Sequence, residues 1–407
     1  MTIDDCGRKH PCFPASESEP ETVSSTLSEK VTTLFQDLTL VLSMSYVVII
    51  WGQGFLEGWN QQARNDKIQQ EIGGGQYWHE LYDPYDPLTL EDSHSPIPSI
   101  LGSNSPEGSI VPILIAQAAI YPQGRMQNMV LKGIPPNQSA LTLPTGQLST
   151  DNPYIPVLIG ERMARNAALK KDDLVTLRWR DANGTFDARD AQVVHIMDTD
   201  VPTLDAGTFW IPLDELQSMM QMPGEATIIV VSQGLENFPE IEGWRFQDQE
   251  LLLKELTDMI KMKGVSSSIM YVILLSLALL AIFDTQVLSI FRRRREIGTL
   301  IALGMTRGGV IRLFTVEGAM HGVLAAIVAA IYGIPLLSWQ AMSGFSMPKA
   351  VDGYGMAIAE TLYPVYSAQL VAATTLIVMA AVTVVSFMPA RRISRMNPTD
   401  AIRGKLS

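Results

Sequence analysis

The sequence predicts an α-helical membrane protein with four transmembrane helices and one large extracytoplasmic α/β domain inserted between helices 1 and 2. Two observations carry this reading. Four segments, 38–59, 266–291, 310–339 and 368–388, have the roughly 20 mostly apolar residues that a bilayer crossing needs. Charge is also sharply divided along the chain. Residues 292–312 hold six basic groups against one acidic, and 390–407 five against one, whereas 59–263 hold 15 against 28. By the positive-inside rule the basic stretches and both termini lie in the cytoplasm, and the acidic 59–263 and the 340–367 loop lie outside.

The 407 residues are 47% hydrophobic and only 18% charged, too apolar for an ordinary soluble chain, and an acidic external domain argues against nucleic acid as a partner. Cys6 and Cys12, the two cysteines, lie in the amino-terminal tail and are read as reduced thiols, so the external domain is expected to fold without disulfides. The five histidines show no zinc-ligand spacing. The start of the chain has no signal-peptide pattern, and the first span is expected to insert uncleaved.

Taken in order, residues 1–37 form a cytoplasmic tail, its first 30 residues rich in Ser, Thr, Glu and Pro and read as disordered. The first span, 38–59, continues as a stalk through Trp59, Ala63, Ile68 and Ile72 and ends at Gly73-Gly74-Gly75. Tyr77 to Pro98, with Tyr-Asp-Pro-Tyr-Asp-Pro, reads as a proline-broken surface loop. Strands are expected at 110–121 and 126–133 around Pro122-Gln123-Gly124, at 156–159, at 173–180 and 188–197 around the hairpin signal Asn183-Gly184, at 208–212 and at 227–231; helices are expected at 160–168 and 214–220. Leu252, Leu256, Met259 and Ile260 mark a second stalk helix over 248–263. The second span (266–291) is followed by an inner loop (292–309), the third span (310–339), an outer loop (340–367), the fourth span (368–388) and a basic tail (389–407).

The inner loop is the most informative stretch. Four arginines, Arg292 to Arg295, close the second span, and Ile297, Leu300, Ile301 and Leu303 follow at helical spacing. Gly304 is placed to stop that helix in a left-handed conformation and Thr306 to cap the next. Anchoring at lipid headgroups would explain the arginines but not the apolar face. Asp284, Glu317 and His321 lie within spans, where each would cost on the order of 3 kcal/mol if it faced lipid. Glu317 and His321 are one turn apart, spaced to pair on one face of the third span; such groups serve most often as glue between helices.

The stretch REIGTLIALGMTRGGVIRLFTVEG resembles the signature of the FtsX-like permeases, a group that includes MacB-type exporters and the lipoprotein-releasing (LolC/LolE-type) permeases, to which the chain is most similar. IGERMARNAALKKDDLVTL and FWIPLDELQSMM resemble the external domain of those proteins, and PARRISRMNPTDAIR their carboxy-terminal end. The resemblance implies a bacterial inner-membrane permease subunit of an ABC transporter that transmits motion, with no catalytic residue of its own. The inner-loop helix, with Arg294, Arg295, Glu296, Ile297, Leu300, Ile301, Gly304, Met305 and Thr306, would be the coupling helix docking a cytoplasmic ATPase dimer. ATP and Mg would sit on that partner, in keeping with a sequence that has no G-x-x-x-x-G-K-[ST] phosphate loop. A second copy of the chain or a related permease, and a periplasmic carrier or adaptor, are the other implied partners. Lipoprotein or lipid extraction at the outer leaflet is the expected activity, with drug or peptide efflux and regulation of a cell-wall hydrolase as alternatives.

Overall fold

The computed structural model describes residues 20–393 except 104, 105, 107, 151, 152, 200, 236, 237 and 347–360. Expectations for Cys6, Cys12, the centre of the 340–367 loop and the tail beyond 393 lie outside the described residues. Among the described residues four helices are long and apolar enough to cross a membrane: α1 (Pro20–Lys67), α4 (Lys254–Arg292), α6 (Arg307–Ser343) and α7 (Ala368–Ile393). The start of α1 corrects one expectation, since residues 20–30 are helical rather than disordered. Pro20 suits a first helical position, and Leu27, Val31, Leu34 and Phe35 recur at helical spacing. At 1.5 Å per residue the 39 residues of α4 extend about 58 Å, well beyond the hydrocarbon thickness of a bilayer.

The chain divides into two compact units. One holds the chain up to Ile50, Tyr271–Leu336 and the chain from Ala368, and is a bundle of apolar helices. Its packing follows rows of residues four apart. On α4 the buried row is Ala278, Ile282, Gln286 and Ile290, and on α7 it is Val378, Val382, Ser386 and Ala390. On α6 small residues open the way for close approach: a side chain at Gly318 would overlap Ser386, one at Gly322 would meet Met379, and one at Gly333 would meet Val47 of α1. Gly318 and Gly322 make a G-x-x-x-G pair at this contact.

The other unit, Trp51–Met270 with Leu337–Ser367, is built on a nine-stranded mixed sheet. Its strands are β1 (Gly75–His79), β2 (Ile110–Ile120), β3 (Gln127–Ile134), β4 (Ile155–Gly160), β5 (Leu174–Arg180), β6 (Phe186–Met197), β7 (Thr208–Pro212), β8 (Ile228–Val231) and β9 (Trp244–Gln247). The order is β9-β1-β8-β2-β3-β7-β4-β6-β5, and β5 pairs back onto β2, so six strands close into a ring. Helices α2 (Glu161–Ala167) and α3 (Leu213–Met220) pack on it, and the enclosed core includes Leu114, Ile120, Leu131, Val157, Met163, Leu177, Phe209 and Leu216. The predicted strands fall within a few residues of these, and Gly184 turns the β5–β6 hairpin at φ 82°. One segment is corrected: 77–79 belongs to β1 and not to a loop. Tyr77 is buried there because β1 is paired on both sides, to β8 and β9.

The end of α1 is bonded into this sheet. Its last turn widens to a π-turn over Ile68–Ile72, and Ile72 is buried. Thr142 N–H donates to the Gln69 carbonyl at 2.8 Å, Thr199 bonds the Gln70 side chain, and Gly74 N–H reaches the Val231 carbonyl at 2.6 Å. Gly73 has φ 65°, and a Cβ there would lie 2.5 Å from that same carbonyl, so only glycine fits. The helix therefore passes its free carbonyls directly to the domain. The start of α4 is held beside it: Asp248 caps the preceding turn, Leu253 is buried, and Tyr85 in the Tyr-Asp-Pro loop donates to Glu255 at 2.9 Å. Lys263 of α4 stands 4.0 Å over the ring of Trp59 of α1. Residues 363–366 clip onto α1 as well. Val365 N–H bonds the Gly54 carbonyl at 2.9 Å, and side chains at Gly54 and Gly58 would overlap Tyr366 and Tyr363.

Candidate functional site

The short helix α5 (Arg294–Ala302) lies between α4 and α6, as the inner-loop pattern predicts. Gly304 ends it at φ 98°, and the Thr306 hydroxyl accepts from Gly309 N–H at 3.2 Å to cap α6. Part of its apolar side packs on its own chain. Ile297 is 3% exposed and packs with Ile290, Val310, Phe314 and Ala390, and Ile301 adds to the cluster. An amphipathic helix beside an apolar bundle buries its apolar stripe on the nearest apolar surface, here that of its own chain. Leu300 is half-buried. The exposed side carries Arg295, Glu296, Thr299 and Leu303, followed by Met305 and Thr306; Leu303 is 85% exposed.

The polar centre of this region is Arg293, which the sequence reading passed over in favour of its neighbours Arg294 and Arg295. Its Nη1 donates to both oxygens of Glu317, at 2.9 and 3.0 Å, and its Nε donates to Glu296 at 3.0 Å. The guanidinium also stands 5.3 Å over the ring of Phe314, one turn before Glu317 on α6. The Glu296 bond raises the arginine's pKa above its ordinary value; the Glu317 charge adds to this and partial burial opposes it. The group is a permanent cation between two carboxylates. Glu317 thus gives its carboxylate to Arg293, across from α6 to the joint before α5, and not only to a face shared with His321.

Asp284 is exposed on α4. It stands in a row with Ile273, Leu277, Leu280, Leu288 and Phe291, all exposed and spaced by threes and fours. His321 is half-buried on α6.

Over residues 268–398 the chain matches the family described as FtsX-like permease C-terminal. The chain carries an FtsX-like permease domain, and its four helices of spanning length with a β-rich domain fit a permease subunit of the ABC-transporter class. Its relatives have the same character. The lipoprotein-releasing system transmembrane protein LolC of Xylella fastidiosa (strain Temecula1) is 20% identical over 316 residues, 71% of this chain and 76% of its own. An uncharacterised ABC transporter permease, YknZ of Bacillus subtilis, is 21% identical over 374 residues, 80% of this chain and 91% of its own. The macrolide export ATP-binding/permease protein MacB of Rhodopirellula baltica is 30% identical over 124 residues, covering 30% of this chain and 16% of its own.

Proposed function

We propose that the chain transmits the motion of a separate cytoplasmic ATPase, which binds the ATP and Mg, to its β-rich domain on the outer side of a bacterial inner membrane. The chain itself performs no catalysis. The observation that carries this reading is α5, a short helix in an arginine-rich loop of the FtsX-like domain, with Ile297 buried on its own chain and Leu303 exposed at its end. The contact surface for the ATPase is then the exposed side, Arg295, Thr299, Leu303, Met305 and Thr306, while Ile297, Leu300 and Ile301 seat the helix. The bonded junction at Gly73 and the capped start of α4 support stiff transmission to the β-rich domain. The cargo is lipoprotein or lipid taken from the outer leaflet, in line with the similarity to a lipoprotein-releasing protein. The exposed row around Asp284 is the face toward a second permease chain, since a carboxylate there cannot rest against lipid without a large cost.

The test is copurification of the ATPase from native membranes. Leu303→Asp is expected to remove it by placing a charge in the contact. Full recovery of the ATPase with Leu303→Asp overturns the reading.

A further inference from the structure

Arg293 occupies a joint as well as a contact. The backbone bends there, at φ −91° and ψ 11°, with Arg293 N–H still on the Ser289 carbonyl at 3.1 Å and Ile297 N–H on the Arg293 carbonyl at 3.0 Å, and the helix stops at Gly304, where an added Cβ would meet nothing within 4 Å. Helix α5 is thus hung between two spans on two joints. A push on its Leu303 end dissipates in those joints unless α5 is tied sideways. The ties are of two kinds: the apolar seat of Ile297 against Val310 and Phe314, and the guanidinium of Arg293 forked between Glu296 of α5 and Glu317 of α6. The second is directional. Arg293 meets α6 through Glu317 and, one turn away, through Phe314, so it grips that helix at two successive turns. Beyond Glu317, Gly318 abuts Ser386, which extends the grip to α7.

We propose that Arg293 is the positioning residue that makes α5 and α6 move as one body, so that displacement of α5 enters the third span and, through Gly318, the fourth. This rests on the reading of α5 as the ATPase contact. The side chains of Arg293 and Glu317 keep 41% and 34% of their exposure, so the pair is reached by solvent and is not a sealed core element. A planar fork serves both carboxylates at once; a lysine in its place keeps the charge and loses the fork.

The experiment uses the full chain with its ATPase in lipid nanodiscs, with Cys6 and Cys12 replaced by serine and one cysteine placed at the exposed Leu313 of α6. Three quantities are measured: bound ATPase, ATP hydrolysis, and the change in maleimide labelling of that cysteine when vanadate traps the nucleotide. Arg293→Gln and Glu317→Gln are each expected to keep the ATPase and its hydrolysis while reducing the labelling change by about fivefold or more, a typical coupling between sites. The charge-reversed pair Arg293→Glu with Glu317→Arg restores it, and Arg293→Lys falls between. A purely structural role predicts lowered thermal stability in the single variants with the labelling change intact, which overturns the proposal. Loss of the ATPase from Arg293→Gln overturns it too, by placing Arg293 in the docking surface. Absence of any ATPase from the wild-type chain removes the underlying reading itself, so the two failures are told apart.

Discussion

The backbone N–H of Thr142 donates to the carbonyl of Gln69 at 2.8 Å, joining the β-rich domain to the last turn of a helix of spanning length. With the bonds at Gln70 and Gly74, this junction fastens the last turn of α1 to the sheet. Gly73 is a narrow point in it. Gly73→Ala is expected to destabilise the domain by about 1–3 kcal/mol, because the left-handed backbone and the Val231 carbonyl both oppose a side chain. A lowered unfolding temperature and faster proteolysis near residue 73 are the readouts. Gly146→Ala, which meets nothing within 4 Å, is the neutral control.

A proline in α4 tests whether the long helices must be stiff. Ile260→Pro, in the interior of α4, removes a backbone bond and costs about 3 kcal/mol of helix stability. The expected outcome is a chain that still binds its ATPase but no longer supports release or export, with Ile260→Ala close to wild type. Normal release by a stably expressed Ile260→Pro chain would count against transmission through this helix.

Topology is open to direct labelling. Single cysteines at Asn183, in the β5–β6 turn, and at Gly308, at the start of α6, are expected to react from opposite sides of the membrane, with Asn183 outside. Reaction of both from one side would break the four-span arrangement.

The face toward a second permease is tested by oxidative crosslinking in membranes. A cysteine at Leu280, beside Asp284 on α4, is expected to give a product joining two permease chains. One at Ile327 on α6, exposed to a similar degree, is expected to give none. The reverse pattern would assign that role to α6.

Much of this architecture is legible in the residues, for identifiable reasons. The strands around Pro122-Gln123-Gly124 and Asn183-Gly184 announce themselves by turn chemistry, and the spans by length of apolar run. β1 is not legible because its five residues begin with the last of three glycines, and their strand character comes from neighbours far along the chain, at 228–231 and 244–247. Closure of the ring through β2 and β5 is likewise set by pairing between distant segments. In the candidate site, the α5 pattern gives the helix, its glycine stop and the Thr306 cap, yet not which way its apolar side turns. Amphipathicity shows that Ile297 seeks an apolar surface; it does not show whether that surface is Phe314 of the same chain or a partner. Arg293 was hidden for a related reason, since in a run of four arginines only the fold decides which one finds Glu317.

The sealing of Ile297 beneath Phe314 and Val310 bears on how such a subunit is made. A loop that kept an apolar stripe bare until its partner arrived would need a chaperone or simultaneous synthesis, and an unmatched copy would be prone to clump or be degraded. Here Ile297 is covered by the chain that owns it, and the apolar side chains left exposed, Leu303 and Met305, are few, which is ordinary on a protein surface. If α5 is the ATPase contact, a chain made ahead of its ATPase keeps Ile297 covered while it waits.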